Sequence, residues 1–305
     1  MAFLDMRLKI LAKSFSVCGS ALQLELDGGV EMGVVTVMDF LNSSFVSASV
    51  SALAGAAFGA WGAGLATARA ARKKELGDAL RQANAAVVLG MTALDAIYSL
   101  KKQHVVPLFD EFELSRRELE AHLYERSHSG QQVKVKFNML HLSPLKLPID
   151  GLNGLVMAGQ MMPGRALALT AMLEQTLVEH QVALEHRYRV IEELRSSSAG
   201  LEEKMRIYFG FPDKEGGSNL MFKTSMEALK LYTDDLAFFV VELVEDLLEH
   251  AANVAAKLRK IDRSAPRALA ADLSLLKESG LIPSKENYES WLSGYPTTRN
   301  PAAAS

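Results

Sequence analysis

Two stretches of the chain carry apolar residues in alternating steps of three and four, the period of a helix with one buried stripe. In 164–195 the stripe reads Leu173, Leu177, His180, Leu184, Arg187, Ile191 and Leu194. In 223–262 it reads Leu229, Tyr232, Leu236, Val240, Leu243, Leu247, Val254, Leu258 and Ile261. Between the two lie Phe211-Pro212-Asp213 and Gly216-Gly217-Ser218, a turn-rich connection. Long helices joined in this way are expected to pack antiparallel, seam against seam. A charged helix is predicted over 107–126, behind Pro107. Near the C-terminus, Ser264 and Pro266 predict the start of a short helix at about residue 266, and Gly280 is placed to stop it in a left-handed turn. A last helix is expected over 285–293, with a frayed tail from Pro296.

A period of two appears in two places. Leu22, Leu24 and Leu26 alternate with polar residues, Asp27-Gly28-Gly29 is a turn signal, and Val30, Met32 and Val34 resume the alternation. This predicts a β-hairpin over 22–37. Val133, Val135, Phe137 and Met139 alternate with Lys134, Lys136 and Asn138, which predicts a strand over 132–142, closed by Pro144 and Pro148. The expected fold class is therefore mainly α. Long antiparallel helices form a bundle, with a small β-hairpin or sheet element in the N-terminal half. The expected organisation is a Gly/Ala-rich helical region with the β element at 1–150, a long-helix bundle at 151–295 and a disordered tail at 296–305.

No Asp, Glu, Lys or Arg occurs in 40–68. Asp39 bounds this stretch on one side, and Arg69, Arg72, Lys73 and Lys74 bound it on the other. It is longer than the roughly 20 residues that a helix needs to cross hydrocarbon. Its composition is mostly Ala, Gly and Ser, so its transfer to lipid is only marginally favourable. Gly55 and Gly59 form a GxxxG pair, a spacing that lets helix backbones approach closely, and Phe58 and Trp61 supply bulk. The four cations that follow suit anionic headgroups. Two readings stand side by side: contact with a membrane, or an Ala/Gly-rich helix buried at the centre of a bundle. Further apolar stretches at 83–100 and 152–162 could pack beside the segment. Residues 4–15 read as a short amphipathic element and not as a cleavable signal peptide, because Asp5 precedes the basic residues and no compact apolar run follows.

Composition narrows the chemistry. Net charge is −3 with a single cysteine, Cys18. A global positive field for nucleic acid is absent, and an intramolecular disulfide is impossible. His180 and His186 lie among glutamates, but neither has the Glu-x-x-His spacing of a di-metal bundle, and no HExxH, phosphate loop or nucleophile elbow occurs. His250 is read as a helix-surface residue. Glu242, Glu245, Asp246 and Glu249 are read as a solvated acidic face. No catalytic, cofactor or metal site is expected.

The functional expectation is a membrane-active or membrane-associated helical protein with a conditionally inserting segment at 40–68. Pore formation and membrane docking are its concrete forms. Long helices, a small β element and a marginal apolar segment together resemble the α-helical pore-forming toxins in architecture, with no shared motif. The expected partners are lipid and further copies of the chain as a homo-oligomer, without nucleic acid, and the expected location is cytoplasmic or membrane-associated. The alternative is a helical scaffold or regulator that binds protein partners through its long helices.

Overall fold

Helix α1 runs over Ser44–Leu100, passes through one π-helical turn at Lys101–Val105, and continues as α2, Val106–Glu125. Then come α3 (Ile149–Ala158), α4 (Gly164–Ser196), α5 (Leu201–Phe209), α6 (Met221–Ile261), α7 (Ser274–Glu278), a 3₁₀ turn (Lys285–Tyr288) and α8 (Glu289–Gly294). This computed structural model describes residues 44–125, 135–159, 162–213 and 215–296. The chain divides into two units, one ending at Leu65 and one beginning at Ala66.

The second unit is a bundle organised around α6. Arg165, at the start of α4, bonds Glu242 and Asp246 late in α6, while Arg187, late in α4, reaches Met226 early in α6. The two long helices are therefore antiparallel, as their connection predicts. The last part of α1 and α2 also runs antiparallel to α6. Leu76, Leu80 and Ala83 pack with Ala251, Val254 and Leu258 at one end, and the Phe112 ring lies tilted against Phe222 at the other, with ring centroids 5.8 Å apart. Midway, a Cβ on Gly90 would sit 3.0 Å from Val244 Cγ2, so glycine permits the close approach of α1 and α6 there. One hydrophobic cluster joins residues from either side of position 150, including Ile97, Leu152, Leu169 and Leu243.

The predicted seams are largely the buried ones. Leu173, His180, Leu184, Arg187, Ile191 and Leu194 are buried on α4, and Leu177 is only half-buried. On α6 every seam residue is buried except Tyr232 and Ile261, which are partly exposed. The stretches 83–100 and 152–162 contribute Ala86, Ile97, Leu152 and Val156 to this core and do not form a separate apolar hairpin.

The β element is not supported. The hairpin expected at 22–37 lies outside the described residues, as do 132–134 and the tail from 297. Among the described residues there is no strand, only an isolated bridge between Pro212 and Ser218. The alternation at 135–142 is nevertheless used. Phe137 packs edge-on to Tyr208 at 5.1 Å and against Phe209, in a cluster that includes Phe112 and Phe222. Its backbone bonds side chains instead of a neighbouring strand. Arg187 donates to the Leu140 carbonyl at 2.7 Å and to that of Asn138 at 3.2 Å, and the Asn138 N–H donates to the Tyr208 hydroxyl. Extended backbone needs its polar groups satisfied, and here a buried guanidinium does the work of a sheet partner.

The helix expected to run from about residue 266 to Gly280 starts later, at Ser274. Asp262 accepts from both the N–H and the hydroxyl of Ser264, and Asn84 bonds the Arg267 carbonyl and the Leu269 N–H. These contacts hold the chain extended along α1 until α7 begins at Ser274. Gly280, at φ +71°, then ends that helix region in the left-handed conformation expected of it.

Candidate membrane-contact site

The first unit contains the helical residues 44–65. Side chains at 51–53 and 55–65 are all exposed, including Leu53 at 72%, Phe58 at 72%, Trp61 at 64% and Leu65 at 55%. Phe58, Trp61 and Leu65 are spaced by three and four and so share one face. Ala52, Gly55, Gly59 and Gly62 are spaced by three, four and three and line another face. A Cβ on Gly55, Gly59, Gly62 or Gly64 would meet nothing within 4 Å among the described residues. Within the first unit taken by itself, the described side chains of this stretch are exposed. Each of these glycines costs an exposed helix roughly 1 kcal/mol relative to alanine, with no packing gain among the described residues to offset it.

The helical run Ser51–His122 contains an 18-residue stretch apolar enough to cross a membrane by length and composition, but 44% of that stretch is buried, so it lies in the packed part of α1 and not among the exposed side chains of 51–53 and 55–68. In the second unit, Arg69, Arg72, Lys73 and Lys74 are all exposed. Arg69 donates to the Ile261 carbonyl at 3.3 Å, Arg72 pairs with Glu75 at 3.0 Å, and Lys73 pairs with Asp262 at 2.8 Å. Lys73 and Ser264 hold the Asp262 carboxyl down to about 2, so it stays charged at any ordinary pH. The structure therefore exposes all eight residues singled out from the sequence, four in each unit.

Sequence reasoning missed a buried charge cluster. Glu242 and Asp246 do not form a solvated face, being 1% and 8% exposed. Arg165, itself buried, donates to Asp246 at 3.0 Å and to Glu242, and Lys285 also pairs with Glu242. The Trp291 ring covers the Arg165 guanidinium at 5.8 Å. Around residues 236–247, α6 is enclosed by α1, α4 and the C-terminal segment, and only Glu245 stays partly exposed. The signal available was a set of three carboxylates, Glu242, Glu245 and Asp246, inside an otherwise apolar run. Two cations balance two carboxylates, a composition that fits a clamp joining α4, α6 and the C-terminal segment. The same segment is tied down by a Tyr288–Asp235 hydrogen bond at 2.6 Å and by Phe238 stacked on Tyr288 at 3.7 Å.

Among the histidines, His186 is exposed and His250 half-buried, whereas His180 is 1% exposed with neither ring nitrogen hydrogen-bonded. Burial holds its pKa down to about 4 from the ordinary 6.5. Between these values the unfolded chain binds a proton that the folded chain refuses. Stability is therefore full above pH 6.5 and falls as pH drops through 4, by about 3 kcal/mol from this residue. Denaturant melts at pH 7 and pH 4 are expected to show this loss, and His180→Leu is expected to reduce it. An unchanged pH dependence in the variant would refute the assignment. Among known proteins, no family model, no curated protein and no solved structure matches this chain.

Proposed function

We propose that the chain is a membrane-associated helical protein whose apolar segment, 51–68, is the part that meets lipid. The observation that carries this reading is the exposure of Leu53, Phe58, Trp61 and Leu65 on a helix with no charged residue along 44–68. An exposed apolar surface of this kind marks a contact with a partner or with lipid. The small-residue face supplies a route to self-association in the bilayer, where close backbone approach through glycine drives helix pairing, and pore formation is the activity such an assembly would have.

The test pairs thermal melts in buffer with dye release from vesicles. Gly59→Ile and Ala60→Arg alter exposed positions, so both are expected to leave the melting temperature unchanged. In vesicles, Gly59→Ile is expected to weaken leakage by blocking helix approach. Ala60→Arg is expected to oppose insertion by about 2.5–3.5 kcal/mol if residue 60 reaches the bilayer centre. Reversing Arg72, Lys73 and Lys74 to Glu is expected to weaken binding to anionic vesicles far more than to neutral ones. A parent protein that neither floats with liposomes nor releases dye at any pH or lipid composition would end the membrane reading.

A further inference from the structure

The basic cluster of α1 has a second half that sequence order conceals. The end of α6 and the chain after it carry Lys257, Arg259, Lys260, Arg263 and Arg267, all exposed and without an ion-pair partner among the described residues. The fold lays them beside the first cluster. Arg69 bonds the carbonyl of Ile261, Lys73 pairs with Asp262 at 2.8 Å, and Asn84 bonds the carbonyl of Arg267. Beneath this surface Leu76 and Leu80 of α1 pack on Val254 and Leu258 of α6, which fixes the two basic runs against each other.

The local charge is opposite in sign to that of the whole molecule. Residues 69–81 and 257–267 hold ten lysines and arginines against three carboxylates, in a chain of net charge −3. Each of those carboxylates is already held by a cation, Glu75 by Arg72, Asp78 by Arg81 and Asp262 by Lys73. The remaining cations have no ion-pair partner among the described residues and repel one another. Such a concentration needs an extended anionic partner to offset that repulsion.

We infer that α1 and the end of α6 together form one composite docking surface for an anionic lipid bilayer. The inference rests on the membrane reading above and deepens it. A bilayer is the favoured occupant because the basic run at 69–74 directly follows the uncharged segment 40–68 in sequence, the arrangement in which headgroup contacts flank a lipid-contacting stretch. Charges near an anionic leaflet act additively over a Debye length, so the α6 set contributes as the α1 set does.

The experiment compares the full-length parent with Lys257→Glu/Lys260→Glu/Arg263→Glu and with the corresponding triple Gln variant. Flotation uses vesicles of phosphatidylcholine alone and with phosphatidylserine, at low and high salt. Melting temperatures of both variants are expected to match the parent, since all three positions are exposed. Binding to phosphatidylserine vesicles is expected to fall by at least about tenfold for the Glu variant and by less for the Gln variant, and high salt is expected to abolish the difference. If the parent floats with anionic vesicles and the α6 variants float equally well, this inference fails and the membrane reading stands. If the parent ignores both vesicles, both fail. Salt-sensitive capture of duplex DNA or inorganic phosphate without any vesicle binding would likewise overturn the bilayer as occupant.

Discussion

Leu243→Asp is expected to abolish stable folding. Leu243 is fully buried on α6, in the cluster where Ile97, Leu152 and Leu169 meet. Aspartate there removes the packing of a whole leucine side chain, worth about 2–5 kcal/mol, and adds a carboxyl that must be desolvated. Together these approach the whole stability of an ordinary domain, about 5–15 kcal/mol. Leu177→Asp provides the comparison. Leu177 occupies the same kind of seam position by spacing but is half-buried, so its new carboxylate can turn toward water. The expected result is a lost or strongly shifted denaturant midpoint for Leu243→Asp and a much smaller shift for Leu177→Asp. Equal midpoints for both variants and the parent would refute the α4–α6 packing described here.

Arg165→Met is expected to cost about 3–5 kcal/mol, the penalty for breaking a buried ion pair from one side. The guanidinium holds both Glu242 and Asp246, and its loss leaves Glu242, 1% exposed, with Lys285 as its remaining cation. Removing all three buried charges should behave differently. Arg165→Met/Glu242→Leu/Asp246→Leu is expected to recover most of the loss, because well-packed apolar groups of similar volume replace buried ion pairs at little or no cost. Melts of the single and triple variants check this. A single variant as stable as the parent would mean that the cluster contributes nothing as a clamp. A triple variant that also exposes the C-terminal segment to protease would show that the charges specify where this segment docks.

Much of the helical scaffold was legible in the sequence. The ends of α4 and α6 fall within a residue or two of the predicted spans, because a stripe of apolar residues sustained over many turns leaves few alternatives. Their antiparallel packing was expected from the turn-rich connection, within which the structure also places α5, a helix not foreseen from the sequence. The eight residues at the apolar segment and its basic flank were visible as composition and charge order alone, and their exposure was not. An uncharged Ala/Gly run is compatible with a buried centre or with a free surface, since only neighbours decide which it becomes.

Where reading failed, a partner remote in sequence had intervened. The alternation at 135–142 correctly marked the side that packs on aromatic rings, but period two says nothing about what satisfies the backbone, and Arg187 and Tyr208 take that role. Ser264 and Pro266 look like a helix start, yet Asn84 holds that stretch extended. Glu242 and Asp246 look like surface residues until α4 and the C-terminal segment enclose them.

Local spacing and charge order thus settle what is short-range: which residues are helical, which stripe is apolar, and where charge stops and resumes around 40–68. Tertiary contact alone decided three things: that α6 leaves only Glu245 partly exposed at its centre, that an arginine substitutes for a strand, and that Lys257, Lys260 and Arg263 stand beside Arg69 and Lys73. The physical reason is the same in each case. Periodicity records the face a residue occupies on its own element, whereas burial, hydrogen-bond satisfaction and summed charge depend on elements that the chain brings back from nearly 200 residues away.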